Sequence, residues 1–93
     1  MERTIDEIKK HLAAYKIDYN SITHDSSLMG TTLENWVYYI SIRGDWKEHV
    51  RLRMLMSELG YVETDRKVTE SDGGDWYEGE HRFSLWEGVE LFK

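Results

Sequence analysis

The run Trp36-Val37-Tyr38-Tyr39-Ile40-Ser41-Ile42 constrains this chain more than any other stretch. It is almost wholly β-branched or aromatic, the side chains that pack best on a pleated surface and lose most rotamer freedom in a helix. Both of its faces are apolar at the start, so both need cover. That points to a strand over about residues 34–43, central in its sheet. The rest of the chain must then supply flanking strands and a layer that buries the sheet.

Gly44 breaks this strand, and Asp45 with Glu48 fits the N-cap and N3 positions of a helix over 45–59, which Gly60 stops. Leu52, Leu55, Met56 and Leu59 fall on one stripe of that helix and are predicted core. Trp46, Val50 and Met54 form a second row on roughly the opposite flank. Either the C-terminal strand or tail covers this row, or it is an apolar interface for a partner or a second copy, rimmed by Lys47, His49 and Arg53.

Beyond Gly60, residues 61–69 read as a strand with Val62, Thr64, Arg66 and Val68 on one face. Asp72-Gly73-Gly74-Asp75 is a turn, and the partner strand is expected over 76–87, with His81, Phe83 and Leu85 on one face and Arg82, Ser84 and Trp86 on the other. Gly79 and Gly88 suggest a bulge and a bend, and Val89, Leu91 and Phe92 are expected to tuck onto the core.

Upstream, Thr4-Ile5-Asp6-Glu7 fits a capping box, and Ile5, Ile8, Leu12 and Tyr15 give one apolar stripe. A helix over about 4–16 follows. Ile17 and Tyr19 alternate with polar residues, a short extended piece at most. Residues 23–32 carry loop chemistry in His24, Asp25, Ser26, Ser27, Gly30, Thr31 and Thr32. The predicted fold is a single α+β domain over 1–93 in the order α-β-α-β-β. Its small antiparallel or mixed sheet is packed by two helices on one face, resembling part of a split βαβ arrangement.

With 93 residues, stability rests on a small core, which four Trp, six Tyr and two Phe help to fill. There is no cysteine, which removes disulfides, thiolate metal sites and cysteine nucleophiles and fits a reducing cytoplasm. The opening Met1-Glu2-Arg3-Thr4-Ile5-Asp6-Glu7 has no apolar signal core, and no apolar run is long enough for a membrane span.

The search for chemistry gives mostly negatives. There is no HExxH, glycine-rich phosphate loop or GxSxG elbow. His11, His24, His49 and His81 lie in separate predicted elements. His24-Asp25-Ser26-Ser27 reads as a turn with local hydrogen bonds, because a catalytic triad converges from separate elements. Asp72, Asp75, Glu78 and Glu80 lack the spacing of a calcium loop. No metal, cofactor or catalytic residue is assigned, and the expectation is a non-enzymatic protein.

Charge suggests what it binds. The net charge is −6, and residues 61–93 hold nine acids against Arg66, Lys67, Arg82 and Lys93. Such a surface repels phosphate backbones, so direct nucleic-acid binding is disfavoured and a basic protein partner is expected. The expected docking face is Glu63, Asp65, Asp72, Asp75, Trp76, Tyr77, Glu78 and Glu80. Inhibitor and immunity proteins of nucleases dock in this way, and phage anti-defence proteins, including anti-CRISPRs, share the small acidic profile. That is an analogy of type, and no motif ties the chain to a family. The alternative is a small-molecule binder, a sponge for nucleotide-like anions, using a corner of Arg43, Lys47, Arg51 and Arg53 beside Tyr39 and Trp46.

Overall fold

The computed structural model describes residues 4–24 and 37–86. Two helices and four strands run in the order α1 (Ile5–Ala14), β1 (Ser21–His24), β2 (Val37–Gly44), α2 (Trp46–Glu58), β3 (Tyr61–Glu70) and β4 (Tyr77–Leu85). The chain is α+β, as its sequence predicts. All strand pairs are antiparallel, in the spatial order β1-β2-β4-β3. The described part of the aromatic run, Val37 to Ile42, therefore does hold a central place, between β1 and β4.

Both helices begin where the sequence places them. The Thr4 hydroxyl accepts from the Glu7 amide at 3.3 Å, and the Asp45 carboxylate accepts from the Glu48 amide at 3.0 Å. Their ends differ. Gly60 closes α2 with a φ of 95°, the left-handed conformation that glycine adopts freely. The first helix stops at Lys16, a non-glycine residue at φ 57°, and the Ile17 amide reaches back to the Leu12 carbonyl at 2.9 Å. This is a Schellman closure with buried Ile17 as its apolar contact.

Four outcomes correct the sequence reading. The first is β1, which begins within the predicted extended-to-loop region and takes Thr23 and His24 out of the predicted loop. Only Ile22 of its four residues reaches the core, opposite Ile40, so the strand carries almost no alternating apolar signal. Residues 25–32 of that loop lie outside the described residues, as do 34–36 of the central strand and Glu87 to Phe92.

The second is β3. A bulge between Glu63 and Asp65 makes Thr64 the extra residue. Val62 pairs with Ser84, and the Thr64 hydroxyl lies 3.2 Å from that of Ser84, both away from the helices. Arg66 and Val68 pair with His81 and Gly79 on the helical side. The four residues expected on one face are thus split between two.

Third, the predicted bulge at Gly79 is absent. A Cβ there would lie 2.1 Å from the Lys67 carbonyl oxygen, so glycine permits close approach of β3 and β4. Fourth, Trp76 ends the turn and does not begin the strand. Its carbonyl accepts from the Ser71 amide at 2.9 Å, while the Ser71 hydroxyl accepts from the amides of Asp75 and Trp76.

One face of the sheet is the core. Tyr38, Ile40 and Ile42 of β2 and Phe83 and Leu85 of β4 meet Ile8 and Leu12 of α1 and Leu52, Leu55 and Met56 of α2. Each large side chain removed from water there contributes roughly 1.5–3 kcal/mol. Tyr38 and Tyr61 add an edge-to-face contact at 5.5 Å. The helices are tied together at the surface, where the Tyr15 hydroxyl donates to Glu58 at 2.5 Å and Arg51 donates to the Tyr15 carbonyl. No helix among the described residues is long and apolar enough to cross a membrane.

Candidate functional site

Two places on the structure concentrate polar chemistry, and both belong to the β3–β4 hairpin. The first lies where α2 crosses it. His49, on the inner side of α2, and His81, on the core face of β4, are both fully buried. His49 Nδ1 lies 2.7 Å from His81 Nε2, and His49 Nε2 lies 3.1 Å from the Tyr77 carbonyl oxygen. His81 Nδ1 is 2.6 Å from Glu63 Oε1. The other oxygen of Glu63 pairs with Arg53 Nε at 2.9 Å.

A continuous polar line thus runs from the hairpin backbone through two imidazoles and a carboxylate to a guanidinium at the surface. Glu63 takes the helical side by pairing with Phe83, and the bulge at Thr64 brings Arg66, three positions on, to that same side. Burial pushes His81 below the usual histidine range; the hydrogen bond and charge of Glu63 oppose that, while His49 and Arg66 add to it.

Aromatic rings roof the line. Trp46 stacks on His49 at 5.7 Å and meets Tyr77 edge-on at 5.2 Å, and the Arg66 guanidinium lies 5.2 Å from the Trp46 ring. Trp46 is still 40% exposed and Met54 60%. Val50 and Met54 line a groove of about 370 Å³ between α2 and β3, with Tyr61 and Glu63 opposite. The second apolar row of α2 is therefore partly exposed, alongside an edge strand.

The second place is the far end of the hairpin. From Val68 to Glu80 there are five acids, Glu70, Asp72, Asp75, Glu78 and Glu80, and no basic residue. All five are exposed. Bases adjoin this end: Arg66 lies beside Glu70 and Tyr77, Lys67 is set opposite Glu80, and Trp76 is covered by Arg43. The Arg43 guanidinium lies 4.0 Å over the half-buried Trp76, while β2 sets Arg43 opposite Glu78. Among the described residues no three His, Asp or Glu side chains converge as a metal site.

The structure redistributes the residues that the sequence singled out. Glu63 leaves the acidic face for the histidine line. Asp65 stays on the open face of the sheet, beside Lys67 and Arg82, and accepts from the Arg66 amide at 2.9 Å. Asp72, Asp75, Glu78 and Glu80 stay exposed, but Glu80 lies beside Asp65, Lys67 and Arg82. Of the two half-buried aromatics, Trp76 lies under Arg43 while Tyr77 turns to the helical side against Trp46 and His49.

The four basic residues of the expected anion corner are not gathered. Arg43 covers Trp76, Arg51 pairs with Glu48 at 2.9 Å on the α1 side, Arg53 pairs with Glu63 on the β3 side, and Lys47 is exposed. Sequence reasoning passed over the histidine line because His49 and His81 lie 32 positions apart. The sequence reading set His49 on the rim of the outer row of α2, whereas the structure buries it fully against the sheet, and the one available signal was His81 on the core-facing side of its strand.

No protein-family model matches the chain, and neither the curated proteins nor the solved structures contain a match.

Proposed function

We propose that this chain is a non-catalytic binding protein, an inhibitor or adaptor that docks a basic surface of a protein partner through the far end of its β3–β4 hairpin. One observation carries the reading: five exposed carboxylates between Val68 and Glu80 with no base among them. Carboxylates held on a hairpin are pre-organised, so little ordering entropy is lost on docking. Their summed field steers a basic partner and rejects phosphate backbones. Trp76 supplies a half-buried aromatic surface on which an interface can centre. The proposed setting is an intracellular one, where an acidic inhibitor can occupy the nucleic-acid cleft of its target.

The test is a comparison of the native chain with an Asp72→Lys, Asp75→Lys, Glu78→Lys variant in capture from lysate at ~0.1 M and ~1 M salt. The expected result is a basic protein retained by the native chain at low salt, released at high salt and missed by the variant. Retention by the variant, or indifference to salt, overturns the reading.

A further inference from the structure

The line Tyr77 carbonyl, His49, His81, Glu63 has three contacts at hydrogen-bond distance, and each needs one proton between its two heavy atoms. A carbonyl only accepts, so His49 Nε2 must carry a proton. A carboxylate only accepts, so His81 Nδ1 must carry another. The middle contact, His49 Nδ1 to His81 Nε2, needs a third.

Two neutral imidazoles and an ionised carboxylate hold two protons, one fewer than the line requires. In that state one of the three contacts sets a lone pair against a lone pair, between groups of which both imidazoles are fully buried. A buried polar group left without its partner costs about 1–3 kcal/mol. One added proton completes every contact, but it sets an imidazolium against a carboxylate that Arg53 already pairs, and the burial of that charge is what holds His81 below the usual histidine range.

We propose that His49, His81 and Glu63 form a proton-binding centre, which takes up a single proton shared by the two imidazoles and held by the Glu63 carboxylate. A second proton is excluded, because it would place two cations 2.7 Å apart.

The surroundings fit one proton and no more. From β3, Glu63 favours the charged form, and Arg66, the register partner of His81, opposes it. From α2, Arg53 neutralises the other Glu63 oxygen. From β4, Tyr77 contributes its carbonyl and its ring, and Trp46 of α2 stacks on His49. From β2, the register partner of His81 is Ile40, which carries no charge. The centre joins α2 to both strands of the hairpin, so the proton sits at the joint between helix and sheet.

The experiment is a pH titration of the native chain followed by the ring nitrogen and carbon shifts of each histidine. The expected result is that both rings of the pair move together with one midpoint and bind one proton between them. Glu63→Gln is expected to weaken proton binding about tenfold, a fall of about one pH unit in the midpoint. The proposal fails if the two rings titrate separately to the doubly charged form. It also fails if both stay neutral down to acid unfolding, or if Glu63→Gln leaves the midpoint in place. Should that variant not fold, the native titration decides alone.

Discussion

His49 and His81 meet ring to ring, nitrogen to nitrogen at 2.7 Å, with neither side chain open to solvent. They come from a helix and a strand that share the core, and their contact helps to fix where α2 crosses the hairpin. A buried polar pair of this kind makes stability depend on protonation.

The sign follows from His81, whose folded-state value lies below the ordinary 6.5 because of burial. The unfolded chain therefore binds the proton more readily. Stability is fully present above about pH 6.5 and is lost as pH falls from there toward the folded value, by up to about 1.4 kcal/mol per pH unit for one proton. Urea midpoints measured from pH 7.5 down to pH 5 are expected to fall, and a midpoint that rises with acid contradicts the assignment.

Gly79→Ala is expected to cost about 3 kcal/mol, at the upper end for overpacking. The added methyl would sit 2.1 Å from the Lys67 carbonyl oxygen and 2.5 Å from the Val68 Cα, both backbone atoms that only strand separation can move. Chemical denaturation of the variant checks this, and a loss under about 0.5 kcal/mol would show that β3 yields freely.

The two rows of α2 are expected to respond differently. Leu55→Ala empties a fully enclosed site and is expected to cost about 2–5 kcal/mol. Met54→Asp alters a side chain that is 60% exposed and is expected to stay within about 0.5 kcal/mol. If Met54→Asp instead lowers the sedimentation coefficient of the native chain, the row is an interface between copies.

Lys16→Gly is expected to stabilise the chain by about 0.5–1 kcal/mol, because glycine pays no Cβ penalty in the left-handed conformation that ends α1. Thermal unfolding reads the gain directly, and a drop in midpoint would mean that the Lys16 side chain makes a compensating contact.

Much of the fold was legible because several signals agreed within single elements. Asp45, the Leu52-Leu55-Met56 stripe and Gly60 all mark one helix, and cap, stripe and stop lie within fifteen residues or so of one another. The aromatic run of β2 was equally plain. β1 was not, since one buried Ile22 among Ser21, Thr23 and His24 leaves no period to detect. The candidate site was legible only in part. The acidic hairpin end is local in sequence, whereas the histidine line depends on helix–sheet packing and the place of Arg66 beside it on a bulge. Alternation along Val62, Thr64, Arg66 and Val68 assumes a regular strand, and a bulge breaks that assumption without any glycine to announce it.

That bulge has a consequence for chain length. Removing one residue from a regular strand exchanges the two faces of everything beyond it. Here Thr64 and Asp65 both look away from the helices, while Glu63 before them and Arg66 after them look toward α2. Deleting Thr64 would leave Glu63, Asp65 and Arg66 in ordinary alternation, with Glu63 still facing His81 and Arg66 still beneath Trp46. The strand carries one residue more than its ladder uses, and at Thr64 the chain could be shortened with every later side chain keeping its direction.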